Sequence, residues 1–266
     1  MSGNTENKLL LVIDIGNTLV VLGLYRDVNL EATWKLSSQT TRTSDECWII
    51  FKQWCIDAGI DLAEISGVVI SSVVPSLSAV FQNMISVYLN REPVLVDAET
   101  DTGLKIRYQI PKHVGADRLC NSLAAVTIYG CPAIVVDLGT ATTFDVVSEN
   151  YEYLGGAISL GLTGASNELH RLAAKLPRVD LKFPEKVVGT STEQSIQSGI
   201  MWGTVSLIDG MIEKIESEMQ WKNSQVIATG GASNLILKYS QTIKQYNPFL
   251  TLEGMRLIYH RLHMHP

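Results

Sequence analysis

Short apolar runs, each broken by Gly, Asn, Thr or Pro, set the rhythm of the chain. Residues 9–15 and 19–25 are apolar and rich in β-branched side chains, with Gly16, Asn17 and Thr18 between them. That pattern predicts two strands joined by a tight turn. A third strand near residues 31–36 completes a meander. From 45 to 58, Trp48, Ile49, Phe51, Trp54, Cys55 and Ile56 recur at helical spacing until Gly59 stops the run. Residues 67–74 read as an apolar-rich strand ended by Pro75, followed by a helical stretch to about Asn90 and a short strand at 93–97. The order is βββ, then αβαβ.

The second half repeats this order. Strands are expected at 133–137, 142–147 and 153–159, helices near 164–175 and 192–220, and a strand at 225–227. Asp14-Ile-Gly and Asp137-Leu-Gly both close a first strand. Two unrelated turns would produce such segments, because Asp and Gly are common turn residues. Two copies of one βββαβα unit, packed as lobes around a cleft, account better for their spacing. A length of 266 residues accommodates two lobes or one large domain. The expected division is residues 1–130 and 131–266, with the last helix able to pack back on the first lobe.

Composition narrows the function classes. Apolar residues make up 46% and charged residues 18%, an ordinary globular balance rather than a disordered one. The net charge of −6 provides no basic field for a phosphate backbone, which argues against nucleic acid as a partner. The apolar run at 9–13 is broken by Asp14, too short for an export signal or a membrane span of about 20 residues. Cys47, Cys55, Cys120 and Cys131 show no C-x-x-C spacing, so the expectation is a reduced, cytoplasmic protein with cysteines as small buried hydrophobes.

Four segments carry candidate chemistry. DIGNT, beginning at Asp14, puts a carboxylate at the mouth of a hairpin, followed by a glycine that admits a ligand to the backbone and by Asn and Thr donors. DLGTATT repeats the design at Asp137, with Gly139 and the hydroxyls of Thr140, Thr142 and Thr143. Either alone reads as a turn without ligand. As a facing pair they would cradle a polyphosphate while Asp14 and Asp137 hold cations that offset its charge. Gly115, Ala116, Asp117 and Arg118 open the apolar helical run 119–128. Asp117 either serves the free amides and dipole of the helix start or accepts a proton while Arg118 grips an anionic substrate. The run that follows predicts a twofold dimer that buries it. Ala228 to Ser233, with paired glycines after a strand, is compatible with close approach to a nucleoside.

These residues resemble the type III pantothenate kinases, members of the sugar kinase, actin and heat-shock ATPase superfamily. The resemblance is carried by DIGNT, TGLKIRY (102–108), VGADR (114–118), VVDLGTATTFDVV (135–147), YLGGAI (153–158), KLPRV (175–179), QSGI (197–200), ATGG and LTLEGMRLIY (250–259). It implies an α/β fold of two duplicated ribonuclease H-like lobes, βββαβαβα units with mixed sheets, flanking an ATP cleft. It implies ATP-dependent phosphorylation of pantothenate to 4'-phosphopantothenate, the first step of coenzyme A biosynthesis. By the same resemblance, Asp14, Ile15, Gly16, Asn17, Thr18, Leu19, Val20 and Val21 form the first ATP phosphate loop and Thr140 belongs to the second. Asp117 is the general base, and Tyr108, Gly115, Ala116, Asp117, Arg118 and Thr192 contact pantothenate. Asp137 holds a monovalent cation, potassium or ammonium, and Asp14 a Mg²⁺ ion. A homodimer is implied, with no nucleic-acid or membrane partner.

Leu19 and Leu160 depart from the family pattern, which usually has a polar residue and a proline at those places. Arg42 and Glu46 keep the family's look but read here as a solvated helix start. The tail residues His260, His263 and His265 lack a carboxylate or thiolate partner nearby in sequence, so a frayed terminus is expected there rather than a metal cluster. Two rival functions remain: a non-catalytic nucleotide-binding regulator, and another small-molecule kinase of the superfamily.

Overall fold

A computed structural model describes residues 8–173 and 176–264. Lys175, part of the 175–179 motif, and His265 lie outside the described residues. The chain divides into two compact units, one formed by 1–103, 109–124 and 251–266, the other by 104–108 and 125–250.

In the first unit, β1 (Leu9–Ile15), β2 (Leu19–Arg26) and β3 (Asn29–Ser37) form the meander. Helix α1 (Ser44–Asp57), β4 (Ile65–Ser72), α2 (Pro75–Met84) and β5 (Val94–Leu95) follow. The sheet order is β3-β2-β1-β4-β5, with β1 antiparallel to β2 and parallel to β4. β4 stops at Ser72, short of the expected Val74, because Pro75 fits the first helical position and the chain turns into α2. A π-helical turn, Ile85–Leu89, extends α2 and ends at Asn90 in the left-handed region. α1 starts at a full capping box: Thr43 accepts from the Glu46 amide, and the Glu46 carboxylate accepts from the Thr43 amide at 2.7 Å. Arg42 donates to the Ser37 carbonyl at 2.8 Å, so this segment serves as a helix start.

In the second unit, β6 (Lys105–Ile106) pairs with the edge of a sheet built from β7 (Ala133–Leu138), β8 (Ala141–Val147), β9 (Glu152–Leu160), β10 (Gln225–Thr229) and β11 (Gln245–Tyr246). Helix α3 (Ala116–Tyr129) leads into it. α4 (Leu162–Leu172), α5 (Thr192–Met219) and the short α6 (Ser233–Ile236) complete it, and α7 (Leu250–Met264) belongs with the first unit. The order β9-β8-β7-β10-β11 repeats β3-β2-β1-β4-β5 strand for strand, and β6 is an addition at the β9 edge. The fold is α/β with two mixed sheets of one duplicated plan. The two-residue strands β6 and β11 carry no hydrophobic period, which is why the residue pattern did not announce them.

Each sheet buries one face under helices. Leu11, Ile13, Ile15, Leu22, Ile70 and Phe51 of α1 form one core; Ile134, Val136, Leu138, Phe144 and residues of α5 such as Met201 and Ile208 form the other. Each such side chain contributes about 1.5–3 kcal/mol by leaving water. Because successive strand residues alternate faces, Asp14 and Asp137 point away from these cores.

Three expectations are corrected. In α3, Leu119, Cys120, Ala124, Ala125 and Val126 are at most 1% exposed within the chain itself, so this run is not a free face for a dimer; of its apolar residues only Ile128 is well exposed. The tail is helical through Met264 rather than frayed: the His263 ring stacks on Tyr259 at 3.9 Å, and His263 Nδ1 lies 2.8 Å from the Tyr259 carbonyl. Cys131, unlike the other three cysteines, is only half-buried, because it sits in the bend that leads into β7. Among the described residues no helix is long and apolar enough to cross a membrane.

Candidate active-site residues

The β1–β2 turn is closed by the Gly16 amide, which donates to the Leu19 carbonyl at 3.0 Å, and leaves Asn17, Thr18 and Leu19 exposed. Ile15 and Val20 point their side chains into the core, at 0% and 1% exposure, so a ligand meets only their backbone. Asp14 is half-buried, and its carboxylate accepts from the Ser71 hydroxyl at 3.1 Å. The register makes this contact direct, since Asp14 and Ser71 are neighbours across the parallel β1–β4 pair.

Asp117 stands in the first turn of α3, where its Oδ1 accepts from the Arg118 amide at 2.8 Å. A Cβ at Gly115 would overlap that oxygen, so the glycine makes room for the carboxylate. Burial raises the proton affinity of Asp117 above the usual carboxylate range, against the lowering pull of the Arg118 amide and guanidinium. Arg118 is itself 9% exposed. One turn on, the buried Cys120 thiol is pushed well above its ordinary range by burial first, then by the carboxylates of Asp14 and Asp117, while Ser71 hydrogen-bonds it in the opposite sense. Asp14, Ser71, Cys120 and Asp117 therefore form one neighbourhood in the first unit. Ser71 was not legible as a site residue, since it reads as a small polar residue within an otherwise apolar strand.

In the second unit, the β7–β8 turn exposes Gly139 and Thr140 and is closed by the Gly139 amide on the Ala141 carbonyl at 3.0 Å. The segment after β10 lies against this turn: the Ala232 amide donates to the Leu138 carbonyl at 3.1 Å. Gly230 has φ +89, and a Cβ there would overlap both Asp137 Oδ1 and the Leu138 carbonyl. The Asp137 carboxylate thus sits in a cradle of bare backbone whose oxygens are the ligands hard cations take. Among the described residues no group of three or more His, Cys, Asp or Glu forms a metal cage. Mg²⁺ does not need one, because it is usually held by one or two carboxylates and the substrate's phosphates. The donors at Asp14 and Asp137 fit such cations.

Tyr108 is half-buried and packs beside Tyr153, ring centroids 6.3 Å apart. Thr192 occupies a different patch: exposed at the start of α5, it lines an open groove of about 680 Å³ with Leu169, Leu176 and Ile196. Leu19 and Leu160, the two departures from the family pattern, are exposed at 42% and 62%, so neither disturbs a core.

Comparison with known proteins gives these observations a family. A relative from Moorella thermoacetica, named type III pantothenate kinase, is 45% identical over 253 residues, covering 95% of this chain and 99% of its own. Among solved structures, a Campylobacter jejuni protein named for the Baf family of transcriptional activators superposes with TM-score 0.61 at 20% identity, covering 96% of this chain and 99% of that one. A Listeria monocytogenes protein named as an N-acetylmannosamine kinase superposes with TM-score 0.51 at 9% identity, covering 97% and 100%. These two structures share the fold. Residues 10–214 match the family described as type III pantothenate kinase, and with that match and the 45% identity the chain belongs to the type III pantothenate kinases.

Proposed function

We propose that this chain transfers the γ-phosphoryl group of ATP to the primary hydroxyl of pantothenate, giving 4'-phosphopantothenate and ADP. Family membership supports the reaction, and the observation that carries it to particular atoms is Asp117, a carboxylate seated beside a nearly buried arginine and made more basic by burial. In this reading the hydroxyl oxygen bonds to the γ-phosphorus, the bridge to the β-phosphate breaks, and the hydroxyl proton passes to Asp117. Phosphoryl transfer proceeds through a loose transition state in most analyses, so little deprotonation is needed early and a carboxylate suffices as base. Arg118 holds the substrate's carboxylate, a charge-assisted contact stronger than a neutral one. Tyr108 and Thr192 supply neutral hydrogen bonds, and Gly115 and Ala116 supply backbone beside them.

The segment from Asp14 to Val21 and Thr140 hold the ATP phosphates, the exposed Asn17, Thr18 and Thr140 offering side chains and the buried Ile15 and Val20 their backbone. Asp14 holds Mg²⁺ and Asp137 holds potassium or ammonium. Bound there, the cations neutralise polyphosphate charge. The protein acts in the cytoplasm as a homodimer, and its unpartnered apolar side chains Ile158, Leu160 and Leu172, 62–73% exposed on β9 and α4, support that assembly better than α3 does.

An assay of ATP consumption with pantothenate, run with and without potassium, tests the proposal. Phosphorylated pantothenate is the expected product. ATP binding without turnover would favour a regulator, and turnover only on another alcohol a different kinase.

A further inference from the structure

The second sheet contains a buried carboxylate to which the reaction assigns nothing. Asp145 of β8 is 0% exposed, and so is Tyr153 of β9, whose hydroxyl donates to Asp145 Oδ1 at 2.8 Å. The Thr143 hydroxyl lies 3.4 Å from the other carboxylate oxygen. The register pairs Asp137 with Thr143 and Val135 with Asp145, so Asp137, Thr143 and Asp145 share the face turned away from the apolar core of α5. Burying a carboxylate is costly, whereas a phenylalanine at 153 and an apolar residue at 145 would fill the same space without that cost. The hydrogen bond between them fixes the Tyr153 ring on its strand.

That geometry leads to Tyr108. Strand β6, just before it, is pinned to Tyr153's own backbone: Ile106 is the register partner of Tyr153, and the Arg107 amide donates to the Tyr153 carbonyl at 2.8 Å. The Arg107 guanidinium also clasps Glu152, with contacts of 2.9 and 2.6 Å. The Tyr108 ring then rests beside the Tyr153 ring and over Gly155, where φ is +114 and a Cβ would approach ring carbons to 3.2 and 3.3 Å. Tyr108 thus has two supports in its own unit, bare backbone at Gly155 and a tyrosine ring tethered to Asp145.

We propose that Asp145 and Tyr153 are positioning residues that set the affinity for pantothenate by holding the ring of Tyr108. This rests on the reading that Tyr108 contacts pantothenate. Both residues are fully buried and act through Tyr108, so the signature is a change in pantothenate KM rather than in the chemical step.

The test is steady-state kinetics in both substrates, with melting temperature, for Tyr153→Phe, Asp145→Asn and Tyr108→Ala in the full-length protein. Tyr153→Phe keeps the ring and removes the tether; it should raise pantothenate KM roughly fivefold, the worth of one net hydrogen bond, with kcat and ATP KM unchanged. Asp145→Asn keeps an acceptor for the Tyr153 hydroxyl and should leave pantothenate KM near the wild-type value. A lower melting temperature in Tyr153→Phe with unchanged pantothenate KM would reduce the pair to a structural role and overturn the proposal, as would a loss of kcat with both KM values unchanged. If Tyr108→Ala leaves pantothenate KM unmoved, the premise about Tyr108 fails and the proposal with it. If Tyr108→Ala raises KM and Tyr153→Phe does not, the premise stands and only the link is broken.

Discussion

Asp14 and Asp137 end the first strand of two sheets with the same strand order, yet their surroundings differ in kind. Around Asp14 the support is a side chain: Ser71 donates from the neighbouring parallel strand, and α3 brings Cys120 and Asp117 into the same neighbourhood. At Asp137 backbone comes close, with the glycine at 230 letting the chain approach the carboxylate and the Leu138 carbonyl at its edge. A duplicated frame has kept the position of the carboxylate and changed the matrix that holds it. A side-chain matrix can be trimmed one hydroxyl at a time. A backbone matrix can be altered only by adding atoms where there is no room.

The largest effect expected from breaking this arrangement is at Asp117, which has no counterpart at the Asp137 hairpin. Asp117→Asn should lower kcat by roughly 10²–10⁴ with ATP affinity nearly kept, the range for loss of a general base. Unchanged turnover would remove Asp117 from that role. Its raised proton affinity also places the acid limb of kcat/KM above the usual carboxylate range, a displacement that a pH–rate profile reads directly. For stability the sign is opposite. A carboxyl that binds its proton more tightly when folded loses stabilising effect as pH rises through that window, and at neutrality its charge is a net burden on the fold. Asp117→Asn should therefore not lower the melting temperature at pH 7, and a marked drop would show that the charge supports α3 instead.

The two hairpin carboxylates should separate by cation. Asp14→Asn should raise the Mg²⁺ requirement and cut turnover at every potassium concentration, whereas Asp137→Asn should blunt the response to added potassium. A wild-type potassium titration in Asp137→Asn refutes that assignment. Gly230→Ala sharpens the comparison because it removes no carboxylate: a Cβ at φ +89 would overlap Asp137 Oδ1 and force it to shift, so the potassium response should weaken as in Asp137→Asn. Equal loss of the Mg²⁺ and potassium responses in Gly230→Ala would mean that the cradle supports the sheet at large.

The duplication was legible because it is written in hydrophobic period and in two matching strand ends, Asp14 with Gly16 and Asp137 with Gly139. The helix start at Asp117 was legible for the same reason, since a carboxylate before an apolar run has a local signature. Asp145 and Tyr153 were not. An acid inside the run 142–147 reads as an interruption of a strand, and its meaning depends on a residue from the next strand across a bulge. Ser71 was hidden in the same way, by a partner 57 positions distant in sequence. The free face proposed for α3 failed for the opposite reason: an apolar stripe says that a helix is covered but not by what, and here the chain covers it itself.

The smallest effect expected is at Ser71, and it bears most directly on what a side-chain matrix does. Ser71→Ala removes a hydroxyl that donates to Asp14 at 3.1 Å and leaves the β1–β4 backbone register intact. A net hydrogen bond of this sort is worth about 1 kcal/mol, or roughly fivefold in an equilibrium constant. The carboxylate remains, so the half-saturating Mg²⁺ concentration should rise about fivefold while kcat at saturating Mg²⁺ and the potassium response stay at wild-type values. The alternative is that Ser71 serves Cys120, whose thiol it also meets, in which case Ser71→Ala and Cys120→Ala would share a stability loss and neither would shift the Mg²⁺ titration. Titrating Mg²⁺ at fixed ATP for both variants, beside their melting curves, separates the two. A shift confined to Ser71→Ala means that the hydroxyl tunes Asp14, and an unmoved titration means that Asp14 is held well enough by its strand alone.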